Sequence, residues 1–174
     1  MTKNIGLGRG TVKVVDYNLN WPKLFQEEYV RLKSELGNKI GDIEHIGSTS
    51  VPGLASKPII DMIAEVNDLS TYVELIKPLA TLGYKFMPGR VFADRVFFPK
   101  GPEENRIFHL SLVLKGSEGW TIPIAFRDYL IVNPNARNQY QKLKEELAKK
   151  YPNDREKYTS AKAAFIDKVI NNFD

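Results

Sequence analysis

Cysteine is absent from this chain, and histidine occurs only as His45 and His109. No disulfide and no thiolate metal site can form. No apolar run approaches the roughly 20 residues needed to cross a bilayer. Met1 to Gly10 lacks the apolar segment of a secretory leader. These absences set the expectation of a cytoplasmic protein with no membrane contact. Neither sign of charge dominates. The 25 Lys and Arg residues against 21 Asp and Glu leave a net charge of +4. That mild surplus suits an anionic ligand such as a nucleotide or RNA. RNA binding rests on the charge alone, because no aromatic–basic motif supports it. The lysines Lys142, Lys144, Lys149 and Lys150 alternate with Glu145 and Glu146 and read as a solvated helix face. Smaller basic clusters stand out instead, Arg90 with Arg95 and Lys100 with Arg106.

What is present is a 174-residue chain with 43 % hydrophobic residues, which predicts one domain over 1–174 with a sizeable core. Residues 11–17 alternate enough for a short strand. Asn20 is placed to cap a helix opening at Trp21 and Pro22. Its apolar stripe is Phe25, Tyr29, Leu32 and Leu36, and Gly37 ends it. Strands are expected at 42–46, 58–66, 84–87, 91–98 and 106–114. The last two are joined by a polar turn at 100–105. A helix is expected over 71–82, with Pro78 as a kink or early stop. After Gly119 the pattern is helical. It includes a stripe of Tyr140, Leu143 and Leu147, then a final helix capped by Asp154 with Tyr158, Ala161, Phe165 and Val169 on one side. The fold class is therefore α+β: a mixed β-sheet flanked by helices, with a helical C-terminal third.

The most telling stretch runs from His45 to Asp61. Gly47 lets a ligand approach its backbone closely. Ser48, Thr49 and Ser50 add hydroxyls and successive N–H groups that can face an anion. The same hydroxyls can equally bond only to backbone. Lys57 precedes a second apolar run, and it can contact a phosphate, neutralise Asp61 or face solvent. Asp61 lies inside that run, where an acid is costly unless paired, protonated or bound to metal. Asp61 and Glu65 share a strand face but stand about 13 Å apart, too far to share one ion. His45 ends one strand and His109 lies in another. With Asp61 they can form a transition-metal site, or they can simply brace the turn. Arg127 and Asp128 read as a clamp between layers. Tyr158 and Lys162, one helical turn apart, can offer a ring and a cation to a nucleotide.

These residues resemble the GrpB family, whose fold is of the nucleotidyltransferase type of DNA polymerase beta. The resemblance is carried by Val14-Val15-Asp16-Tyr17 with Trp21-Pro22, by Ile46 to Leu54, by Lys57 to Asp61, by Phe126 to Leu130, and by the helices around Tyr140 and Tyr158. It implies a Gly-Ser turn at Gly47 and Ser48 holding phosphates. It also implies Asp61 as the first of three metal-binding carboxylates, with a divalent ion (magnesium, manganese or a transition metal) as cofactor. The chain departs from that pattern. The second carboxylate position is Ile63, and the strand 106–112 supplies His109 and Ser111 but no acid. Isoleucine cannot hold a hard cation. The resemblance thus implies a protein binding a nucleotide or another phosphorylated small molecule. Two readings follow. One is a metal-dependent transferase using Asp61 and His109, with His45 as a further metal ligand. The other is a non-catalytic accessory module that kept an anion pocket. The ligand-binding candidates are Gly47, Ser48, Thr49, Ser50, Lys57, Arg95 and Arg106.

Overall fold

The computed structural model describes residues 5–171. Its strands are β1 (Ile43–Ile46), β2 (Ile60–Val66), β3 (Arg95–Lys100) and β4 (Phe108–Leu114). They form one mixed sheet in the order β1-β2-β4-β3. β2 and β4 are parallel, and the other two pairs are antiparallel. A parallel pair needs a crossover connection. Helix α2 (Tyr72–Thr81) and β3 provide it. The other helices are α1 (Trp21–Leu36), α3 (Glu118–Val132), α4 (Pro134–Lys150), α5 (Arg155–Ser160) and α6 (Ala163–Ile170). No helix among the described residues is long and apolar enough to cross a membrane.

Strand side chains alternate between faces, so the register decides what can meet. His45, Met62, Leu110 and Phe98 are register partners on one face. The helices α1 and α2 cover that face, where Trp21, Leu32, Leu75 and Leu79 join Met62, Phe98 and Leu110 in the main core. Each such side chain contributes about 1.5–3 kcal/mol on full burial. Lys100 belongs to this face as well. Its ammonium lies 2.6 Å from the buried Glu28 carboxylate, which ties β3 to α1. The opposite face carries Ile46, Asp61, His109 and Pro99 in one row. The C-terminal helices lie over it, and α3 contacts both β1 and β4.

Several sequence expectations change in detail. Residues 11–17 form no strand. Val15 makes one bridge to Ser56, and Val12 donates its N–H to the Pro152 carbonyl, so the segment straps the sheet to the helical layer. Residues 84–87 likewise contribute a single bridge, Tyr84 to Lys100. The strand expected over 91–98 folds back on itself, with Val91 bridged to Val96 and the Phe92 N–H donating to the Arg95 carbonyl. Helix α2 runs on through Pro78 for another turn. The final helix divides at Ala161 and Lys162 into α5 and α6. Asn20 makes no side-chain cap, whereas Asp154 accepts the Lys157 N–H as expected, and Asp68 accepts that of Ser70.

Candidate functional site

The site forms where β1 ends against β2. Gly47 follows β1 with φ 70° and ψ −171°, a region only glycine occupies without strain. A Cβ there would also lie 3.0 Å from Asp61 Oδ2. The turn thus brings its backbone directly against the acid. Gly47→Ala is expected to cost about 1–3 kcal/mol from backbone strain alone. Chemical denaturation of the variant measures it.

Asp61 faces its register partner His109, with Oδ1 2.9 Å from Nδ1. The hydrogen bond and charge of His109 and the nearby Lys57 and Arg155 outweigh burial and hold the Asp61 carboxyl below the usual carboxylate range. An ionised carboxylate only accepts hydrogen bonds, so Nδ1 of His109 carries the proton and donates. Asp61 keeps 42 % side-chain exposure. That exposure opens into a cavity of about 110 Å³.

Four cations line this chamber: Lys57, Lys144, Arg155 and Lys162. Among the described residues Asp61 is its one acid. Burial first, then the neighbouring Arg155 and Lys162 charges, bring Lys57 down to about 7. Burial and the Lys162 charge bring Lys144 down to about 7. Burial, opposed by Asp61 and assisted by Arg155, brings Lys162 down to about 8. Tyr158 braces the group, with Lys57 and Lys162 set over its ring at 5.1 and 4.5 Å. Its ring is buried and so not open to a nucleotide base. Lys144 donates to the Ala55 carbonyl and lies over the Tyr140 ring.

The other candidates fall elsewhere. Of the turn hydroxyls only Ser48 lines the chamber. Ser50 donates to the Gly47 carbonyl at 2.5 Å. The buried Thr49 pairs with His45 Nε2 at 2.9 Å. Those two residues therefore brace the turn instead of facing a ligand. His45 sits on the opposite face of the sheet from Asp61, stacked on Phe25 at 4.9 Å, so it does not join Asp61 and His109. Burial lowers it to about 4, and it is neutral at physiological pH. Arg106 is buried and donates to the Gly101 carbonyl inside the hairpin loop. Arg95 lies over Phe92 on the rim, outside the chamber. Arg127 holds Glu44 at 2.5 Å, the His45 carbonyl at 2.9 Å and Asp128 at 2.7 Å, which makes it the expected clamp between α3 and β1. Lys144 and Arg155 were missed by the sequence reading. Lys144 is only 1 % exposed and is no part of a solvated face.

The donor set decides what the chamber can hold. A hard divalent ion calls for several oxygen ligands. Here it would meet one carboxylate amid four cations. Among the described residues no group of three or more His, Asp or Glu side chains is arranged to hold a metal ion. The residues present fit an anion and do not fit a divalent metal.

Comparison with known proteins agrees with the fold. A glutamate-rich protein GrpB of Alkalihalophilus pseudofirmus is 34 % identical over 171 residues, spanning 96 % of this chain and 98 % of that one. A dephospho-CoA kinase of Mycolicibacterium paratuberculosis is 25 % identical across 90 % of this chain, which corresponds to 44 % of its length. The crystal structure of the conserved protein GrpB from Enterococcus faecalis superposes with a TM-score of 0.83 at 35 % identity, covering 91 % of this chain and 95 % of that one. Cid1 in complex with the UTP analogue UMPNPP shares the fold at a TM-score of 0.52 and 14 % identity, covering 78 % of this chain and 43 % of that one. Residues 11–172 match the family described as GrpB protein. The chain belongs to the GrpB family and has a nucleotidyltransferase-like fold.

Proposed function

We propose that this protein binds the phosphoryl group of a small phosphorylated ligand in the chamber around Asp61, with no divalent metal bridging it. One observation carries the reading: Lys57, Lys144, Arg155 and Lys162 converge on a cavity holding a single acid. Burying like charges side by side is costly unless something negative offsets them. At about 110 Å³ the cavity admits one phosphoryl-sized group with few waters, given roughly 30 Å³ per water. Gly47 and Ser48 line the same wall, where the Ser48 hydroxyl is hydrogen-bonded to Tyr140. A nucleotide is the ligand class that the relatives favour, since one is named a dephospho-CoA kinase and a structural neighbour holds a UTP analogue.

Thermal unfolding with phosphate, pyrophosphate and adenosine nucleotides, each with EDTA and then with magnesium, tests this. The expected result is stabilisation in EDTA, little changed by magnesium. Stabilisation that appears only with magnesium would count against it. The Asp61–His109 pair favours a second reading, in which the oriented imidazole exchanges a proton with the bound ligand. Turnover of the same ligands, lost in His109→Gln with binding kept, would select it over a binding module.

A further inference from the structure

Beside the chamber lies a larger groove of about 650 Å³, a size ordinary for small-molecule sites. His109 and Arg155 line both cavities and stand at the boundary between them. The floor of the groove is the Asp61 face of the sheet, with Phe97 packed against the His109 ring at 5.0 Å. Its far wall is the turn that carries Arg90, Phe92 and Arg95. Phe92 is 38 % exposed. The Arg95 guanidinium lies over it at 4.9 Å. Burial first, then the Arg90 charge, hold Arg155 below its ordinary value against the pull of Asp61. Arg90 and Arg95 form a basic cluster to which the inner chamber gives no role.

The exposed Phe92 and half-buried Phe97, with guanidinium groups close by, form a platform for a planar group that carries charge nearby. The inner chamber, at about 110 Å³, is far smaller than the groove. We infer that the ligand spans both cavities, passing between His109 and Arg155, with its terminal phosphoryl in the chamber, its heteroaromatic body over Phe97 and Phe92, and a second anionic group facing Arg90 and Arg95. This rests on the phosphoryl-binding reading of the chamber and adds to it the chemical class of the whole ligand, a nucleoside bisphosphate or a molecule of that shape. The bond joining phosphoryl to body then lies beside His109.

Isothermal titration in EDTA with four probes tests it: inorganic phosphate, ribose 5-phosphate, adenosine 5′-monophosphate and adenosine 3′,5′-bisphosphate. The monophosphate is expected to bind about tenfold or more tighter than ribose 5-phosphate, the range ring stacking supplies. The bisphosphate should bind tighter still. Phe92→Ala should erase the advantage of the adenosine ring while inorganic phosphate still binds. The double variant Arg90→Gln/Arg95→Gln should bring the bisphosphate down to the monophosphate. Phe92, Arg90 and Arg95 are all exposed, so these variants are expected to fold, and their unfolding midpoints verify it. If the monophosphate binds no better than ribose 5-phosphate while phosphate binds, the inference is overturned and the chamber reading stands. If phosphate itself does not bind, both fall.

Discussion

Exchanging Asp61 for asparagine is expected to tighten phosphate binding by roughly tenfold or more while weakening the ligand-free fold. Among the described residues the carboxylate is the one acid in a chamber of four cations. A bound phosphate dianion would lie near it. At about 6 Å and an effective dielectric of about 20, two unit charges repel by roughly 3 kcal/mol. Only part of that returns on substitution, because the anion is screened by the lysines, and about 1.4 kcal/mol already corresponds to tenfold. The ligand-free protein meanwhile loses the counter-charge that four cations share, together with a hydrogen bond to His109. Loss of a charged hydrogen bond alone costs about 1.5–3 kcal/mol. Titration calorimetry and denaturant unfolding of the same variant report the two opposite effects. A carboxylate whose work is to hold a divalent ion gives the reverse pattern, with affinity lost.

A second large effect concerns pH. Sulfate keeps its charge across neutral and alkaline pH and so isolates the titration of the protein. Its affinity is expected to fall by about 100-fold or more between pH 7 and pH 9. Lys57 and Lys144 lose their protons near 7 and Lys162 near 8 in the empty chamber, and the anion favours the charged form of each. Binding near pH 8 must therefore take up protons. Stability of the empty protein follows the same groups in the opposite sense. Folded Lys57 and Lys144 titrate near 7, well below the ordinary lysine value of 10.5. Between those limits the unfolded chain holds more protons, so stability rises with pH. Saturating sulfate should flatten that rise. Calorimetry in buffers of different ionisation enthalpy counts the protons, and unfolding from pH 7 to pH 10 follows the stability.

The architecture was legible because local patterns and tertiary demands agree over much of the chain. The Asp42–Ile46 and Pro58–Val66 patterns became β1 and β2, and the hairpin loop after Lys100 was read from its turn residues. The segments at 11–17 and 84–87 alternate like strands but find too few backbone partners, since pairing is decided by what lies alongside. Gly47 and Asp61 were legible as a unit because a glycine turn and an acid inside an apolar run are both locally odd. The opposite faces of His45 and Asp61 follow from register, which the motif alone does not supply. Lys144 carried a readable signal that charge alternation masked. It stands four residues after Tyr140 and three before Leu147, both buried, so helical spacing places it on the inner face of α4. Arg155 lay hidden because its role depends on how α5 is laid over the sheet.

The most direct measurement is a calorimetric titration of inorganic phosphate into EDTA-treated protein at pH 7, set beside the double variant Lys57→Met/Lys162→Met. One phosphate per chain bound by the unaltered protein, and none by a variant that still unfolds cooperatively, is the predicted result. Binding that needs added magnesium, or that survives the loss of both lysines, would contradict the account.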